Sequence, residues 1–271
     1  MNLRWESVTF DYEAGVSALR NVELLIHSGE TVALVGANGA GKTTLAKHLN
    51  GLLRPSAGRV WVGDWNTADH TVAHLARRVA YAFQNPADQI FERTVRAEVA
   101  FGPRRADLTK SEQERRVADA LELTGLAAEA GRHPYDLNPA DRKLLSLAAA
   151  VAIRTPVCVL DEPTTGQDSN GMARVDRVIH SLKQSGQTLV LISHDMDFCA
   201  EHADRVVVMD AGQIVADGPA GRIFGETALL HGAGLEAPQL VRLAQGLGMQ
   251  TRRLGVAEFL VDLAEREGRR T

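Results

Sequence analysis

The segment Gly36-Ala37-Asn38-Gly39-Ala40-Gly41-Lys42-Thr43-Thr44 follows a short β-branched run, Thr31 to Val35, and leads into helical periodicity from Lys42 to Asn50. It matches G-x-x-x-x-G-K-[ST] in the strand–loop–helix context that gives the pattern its meaning. No other feature restricts the fold as strongly. The glycines let the backbone wrap a polyphosphate with its N–H groups pointing inward. The helix N-terminus adds partial positive charge. In such a loop Lys42 reaches the β- and γ-phosphates and the Thr43 hydroxyl ligates Mg²⁺.

The rest of the chain supplies a setting for that loop. Val79 to Phe83, Val157 to Leu160, Thr188 to Ile192 and Arg205 to Met209 read as strands, with a helix at Ser169 to Ser185 between two of them. This alternation predicts an α/β core with a largely parallel sheet. Leu3 to Phe10 and Ala18 to Ile26 are earlier strands. From Thr94 to Thr124 the pattern is helical, with overlapping capping boxes at Thr109/Glu112 and Ser111/Glu114. Arg142 to Ile153 reads as a buried helix, so residues of about 85–153 form a helical subdomain. Composition shifts near Phe224, where Pro219 to Phe224 and Pro238 to Glu267 read as short helices. The division expected is therefore a main domain over 1–224 and a small helical appendage over 225–271.

Composition narrows the partners. Thirty basic against thirty-four acidic residues leave −4, which argues against nucleic acid. Apolar residues make up 45% of the 271, enough for a globular core. Cys158 and Cys199 lie in apolar segments and read as buried thiols rather than a disulfide. The start, MNLRWESVTF, has no apolar core of a secretory signal. The longest apolar stretch, Leu144 to Ile153, is half of a membrane span. The expectation is a cytosolic chain that meets a membrane only through a partner.

Strand Val157 to Leu160 ends in Asp161-Glu162-Pro163. Carboxylates at the carboxyl end of a parallel strand stand where α/β folds bind ligands. Asp161 can hold Mg²⁺, directly or through water, and Glu162 can polarise an attacking water as general base. Gln84 follows strand Val79 to Phe83, Asp168 closes Thr164-Thr165-Gly166-Gln167-Asp168, and His194 sits in Ile192-Ser193-His194-Asp195. Each of these residues alone is an ordinary turn or packing residue. Their order and spacing as a set carry the inference. From about Leu3 to Phe224 the chain resembles the nucleotide-binding subunits of ATP-binding cassette (ABC) transporters.

That resemblance implies a P-loop NTPase of the ABC cassette type, α/β with a helical subdomain, that hydrolyses ATP with Mg²⁺. It implies that Gln84 contacts Mg²⁺ or the water and relays to a membrane subunit, that Asp168 crosses a dimer interface, that His194 contacts the γ-phosphate, and that Tyr12 stacks on adenine. Trp5, Trp61 and Trp65 match nothing in it and read as packing residues. Gln84-Asn85-Pro86-Ala87-Asp88-Gln89-Ile90-Phe91, Thr94-Val95-Arg96-Ala97-Glu98-Val99-Ala100-Phe101-Gly102-Pro103 and the appendage are similar to the energy-coupling factor subclass. The subclass implies an importer of a vitamin or of cobalt or nickel ions, on the cytoplasmic face of the cell membrane. Its other parts would be a second ATPase, a transmembrane coupling subunit and a substrate-binding membrane subunit.

The pattern breaks at one place. Where the family has LSGGQ, this chain has Leu137-Asn138-Pro139-Ala140-Asp141. Pro139 has no N–H to donate, and Ala140 adds a Cβ where close backbone approach is needed. Asp141 brings negative charge unless Arg142 or Lys143 offsets it. Asn138 can still donate through its amide. The expectation is a weak clamp on the other subunit's nucleotide, hence an asymmetric heterodimer with a partner of intact signature. A homodimer with two weakened sites is the alternative. Two other readings stay open: an ABC ATPase without a transport role, and a weakly hydrolysing regulatory module. Against the first stand the absence of a long coiled-coil insertion, of a second cassette and of a basic stripe.

Overall fold

The computed structural model describes residues 1–13, 15–249, 259–261 and 263–264. Most of the final stretch read from sequence as helix, beyond residue 249, lies outside these. In chain order the chain forms β1 (Leu3–Tyr12), β2 (Val16–Ile26), β3 (Thr31–Val35), α1 (Lys42–Lys47), β4 (Ala57–Val62), β5 (Trp65–Asn66), α2 (Val72–Leu75) and β6 (Val79–Ala82). The helical layer follows, with α3 (Val95–Ala100), α4 (Lys110–Thr124) and α5 (Pro139–Ile153). The chain then returns through β7 (Val157–Asp161), α6 (Ser169–Gln184), β8 (Thr188–Ile192), α7 (Met196–His202), β9 (Arg205–Asp210) and β10 (Gln213–Pro219). It continues into α8 (Ala220–Gly225), α9 (Thr227–Gly232) and α10 (Gln239–Gly246).

Two sheets stack. One is antiparallel, in the order β2-β1-β4-β5. The other has the order β10-β9-β3-β8-β7-β6 and is parallel except for β10 at its edge. Strands β3, β7 and β8 are buried at every residue, because both faces of their sheet are covered. Alternate side chains enter different cores. Val32, Leu34, Val159 and Val190 pack with Leu3, Trp5, Ile26 and Leu45 between the two sheets. Ala33, Val35, Leu160 and Leu191 pack against the helices, with Val99, Leu121, Leu145 and Ile179. Trp5 is fully buried and donates its indole N–H to the carbonyl of Leu45, tying β1 to the helix behind the phosphate loop.

Three expectations need correction. The helical stretch Thr94 to Thr124 is broken: α3 ends before Gly102-Pro103, where a 3₁₀ turn spans Pro103–Arg105. Proline lacks the N–H and crowds the preceding turn, so the helix cannot run through it. Thr109 caps α4 through the backbone N–H of Glu112, whereas Ser111 lies inside the helix. The buried helix read from Arg142 begins at Pro139, capped by Asn138. Beyond residue 225, Leu230, Leu235 and Val241 share the core that holds Ile223 and Phe224.

Candidate active site

Strand order decides which loops meet. Along the parallel sheet β3, β8, β7 and β6 are neighbours, and their carboxyl ends lead into the phosphate loop, His194, Glu162 and Gln84 in that spatial order. Residues 36–44, 84, 161–162 and 194 are thereby brought to one edge of one sheet.

The loop backbone demands its glycines. Gly36 has φ +155° and Gly41 φ +102°. A Cβ at Gly36 would sit 2.3 Å from the carbonyl oxygen of Met209, and one at Gly41 2.7 Å from that of Ala18. Across this loop lies the Lys42 ammonium, donating to the carbonyl oxygens of Gly36 (2.7 Å) and Ala37 (3.0 Å). Burial lowers its proton affinity, an effect opposed by the nearby charges of Glu162 and Asp161. Thr43 follows and donates its hydroxyl to Asp161 Oδ2 at 3.0 Å.

Asp161 is almost fully buried, and burial raises its pKa above the usual carboxylate value against hydrogen bonds from Tyr81 and Thr43. The Tyr81 hydroxyl donates to Asp161 Oδ2 at 2.9 Å. Glu162 turns away from the strand direction with φ +50°, held by its N–H on the carbonyl of Ile192 at 2.8 Å. Consecutive carboxylates therefore diverge. Glu162 Oε2 lies 2.7 Å from His194 Nδ1 and 3.4 Å from the Thr165 hydroxyl. The His194 ring is largely exposed, leaving its other edge open to the cleft.

Two cavities flank this arrangement. One of 330 Å³ is lined by Tyr12, Asn38, Gly39, Gly41, Lys42, Thr43, Thr44, Gln84 and Glu162. The other, of 650 Å³, runs past Gly36, Ala37, Asn38, Gln84, Glu162 and His194 to the C-terminal segment. Tyr12 stands half-exposed at the first, its hydroxyl 3.0 Å from Thr44 Oγ1 and its ring edge-on to Phe10. A larger cavity of 820 Å³ opens elsewhere, between Arg116, Arg154 and Gln187. Its arginines are paired with Glu112 and Asp119, and it is remote from the phosphate loop.

Two site residues escaped the sequence reading. Tyr81 looked like any strand aromatic; only the β6–β7 register, with Tyr81 opposite Val159, puts it beside Asp161. Lys143 was weighed only as a counterion for Asp141. Instead its buried ammonium donates to the carbonyls of Phe83 (2.9 Å), Gln84 (2.8 Å) and Asp161 (2.9 Å). One side chain from α5 thus pins the ends of β6 and β7 together. Burial pushes its pKa down to about 8.

The altered signature is grouped apart from these cavities. Asn138 caps α5, accepting the Asp141 N–H and donating its amide to Asp141 Oδ2, both at 2.8 Å. Pro139, Ala140 and Asp141 form the first helical turn rather than a loop before it. Asp141 is offset by Arg174 at 3.1 Å, not by Arg142, which lies over the Tyr135 ring, nor by Lys143. Gln167 donates its side-chain amide to the Ala140 carbonyl at 3.1 Å. Asp168, next in sequence, caps α6 through the Gly171 N–H at 2.8 Å.

Comparison with known proteins places the chain in a family. The ABC transporter family matches residues 19–165. The energy-coupling factor transporter ATP-binding protein EcfA of Methanothermobacter thermautotrophicus is 37% identical over 259 residues, covering 94% of this chain and 81% of that one. Relatives in Methanosarcina mazei and Methanosarcina acetivorans are 41% and 40% identical over 92% and 93% of the chain, which spans only 42% and 40% of their lengths. The structure of cbiO1 from Clostridium perfringens, part of the ABC transporter complex cbiONQ, superposes with TM-score 0.74 at 28% identity, covering 90% of this chain and 98% of that one. A dimeric ATP-binding cassette in a post-hydrolysis state with ADP and Pi shares the fold, at TM-score 0.74 and 23% identity, over 80% of this chain and 98% of its own. No helix among the described residues is long and apolar enough to cross a membrane. The chain belongs to the ABC transporter ATP-binding family, in its energy-coupling factor branch.

Proposed function

We propose that this chain binds and hydrolyses ATP on the 36–44 loop to drive a membrane importer of a vitamin or transition-metal ion. The observation that carries the reading is the convergence of Lys42, Thr43, Asp161, Glu162, Gln84 and His194 on one sheet edge, each at or beyond the carboxyl end of a parallel strand. The Thr43 hydroxyl and the Asp161 carboxylate suit Mg²⁺: both are hard oxygen donors. They stand 3.0 Å apart, so Thr43 and Asp161 would hold the ion together. Bound there, Mg²⁺ would neutralise phosphate charge.

The chain's own residues do the rest. The loop N–H groups hold the phosphates, and Lys42 exchanges the carbonyls of Gly36 and Ala37 for phosphate oxygens. Tyr12 receives adenine on its exposed ring. Glu162 takes the proton of the attacking water. His194, hydrogen-bonded to Glu162, orients it and faces the γ-phosphate. Gln84 and the exposed Phe91, packed edge-on to Phe101, form the face that docks a transmembrane coupling subunit. That subunit, with a substrate-binding membrane subunit, would hold the chain at the cytoplasmic face of the membrane.

The 139–141 turn supports an asymmetric heterodimer. Its proline, its Cβ atoms and its internally used Asn138 amide leave few donors for a partner's nucleotide. An ATPase partner with an intact signature completes the site on this chain. Glu162→Gln in the assembled complex then removes more than about 90% of hydrolysis, since a general base contributes on the order of 10²–10⁴-fold. Retention of most of the activity would refute the asymmetric reading. Lys42→Ala abolishes both nucleotide binding and uptake; unchanged uptake would refute the site itself.

A further inference from the structure

The 650 Å³ cavity has a wall that the family motifs do not account for. Gly234, Leu235, Glu236, Ala237, Gln239 and Arg242 line it opposite Asn38, Glu162 and His194. This C-terminal segment passes close to the phosphate loop at Gly234 and is tied down by a hydrogen bond at Gln239. A methyl group on Gly234 would touch the Ala37 Cβ of the phosphate loop at 3.7 Å. The Gln239 N–H donates to Asp197 Oδ1 at 2.7 Å, on the helix that follows the His194 loop. Leu235, Ala237, Val241 and Ala244 are buried, so the segment has a fixed seat.

The charges along the cavity are uneven. Glu162, Asp195, Asp197 and Glu236 contribute carboxylates, and Arg242 is the sole arginine or lysine among the described residues lining it. Arg242 is paired with Glu236 at 2.6 Å, but both side chains are more than half exposed. Such a solvated pair holds its partners weakly. A terminal phosphate offers the same guanidinium a doubly charged, tetrahedral group, two of whose oxygens can accept from its N–H fork.

We propose that Arg242 is a phosphate-contacting residue of this cleft, leaving Glu236 when ATP is bound and thereby distinguishing ATP from ADP. The proposal rests on the 36–44 loop being the nucleotide site. The side chain is the cation; the segment Gly234 to Gln239 sets its distance from the loop.

The test is nucleotide affinity of the full-length chain with Mg²⁺, for ATP (or a non-hydrolysable analogue) and for ADP. Arg242→Ala should weaken ATP by about tenfold and leave ADP within about twofold, while Arg242→Lys falls between. Glu236→Gln, which frees the guanidinium, should tighten ATP by about two- to threefold and leave ADP unchanged. An unchanged ATP-to-ADP ratio in Arg242→Ala overturns the proposal, whether both affinities fall together, as for a merely structural residue, or neither moves. Lys42→Ala separates the two levels of argument. If it spares binding of both nucleotides, the loop reading fails and the Arg242 proposal falls with it. If it abolishes both, the ratio in the Arg242 variants decides.

Discussion

Asp161 and Lys143 carry charges that burial penalises, and the two respond to pH in ways that follow from sign alone. The folded carboxyl of Asp161 has its pKa raised, so its burial cost is absent below the ordinary value near 4 and grows as pH rises through the raised one. At neutral pH, well above the ordinary value, the nucleotide-free chain bears that cost. Asp161→Asn should therefore melt no lower than the parent at pH 7, each kcal/mol gained raising the midpoint by about 2–4 °C, while hydrolysis is lost. A scan of melting temperature against turnover checks both halves. Lys143 runs the other way: its cost persists below about 8 and is relieved as pH climbs toward the ordinary lysine value. Lys143→Met leaves three carbonyls without their donor and should cost about 2 kcal/mol, a fall of about 4–8 °C in the midpoint. Thr43, Asp161 and Glu162 were legible because each closes a short motif with its own strand context. Tyr81 and Lys143 were not, since strand register and the seating of a helix choose their partners.

At the scale of the element, residues 138–141 of this chain form the start of α5. Asn at the cap and Pro in the first helical position favour helix entry. The family's glycines would not. Replacing Pro139-Ala140 by Gly-Gly should lower the chain's stability by about 1–2 kcal/mol, read as a shift in urea midpoint. In a complex carrying Glu162→Gln, the same replacement should raise the residual hydrolysis, which then comes from the partner's nucleotide. No rise would mean that the altered turn is not what weakens that site. The sequence showed which residues depart from the pattern but not that they join the helix, because the apolar period that marks α5 starts only at Leu144. The break at Gly102-Pro103 was missed for a related reason. Helical spacing continues on both sides of the proline, and the period was read through it.

For the whole molecule, the strand–helix alternation carried the parallel sheet, whereas β4 and β10 were passed over: half-exposed strands with glycine lack a clean apolar run. The segment after residue 225 shares the main core, so a chain ending at Gly225 uncovers Ile223 and Phe224 and loses Leu230, Leu235 and Val241. At roughly 1.5–3 kcal/mol per large apolar side chain, that truncation should cost more than about 4 kcal/mol and appear as insoluble or low-melting protein. The position of β3 has a further consequence for synthesis. This strand, which ends in the phosphate loop, is flanked on one side by β8 and on the other by β9, with Thr31 opposite Leu189 and Val32 opposite Arg205. Neither neighbour exists until some 150 residues after the loop has left the ribosome. A nascent chain paused before β8 therefore displays the motif without a platform to hold it, and nucleotide capture begins only when the last parallel strands arrive.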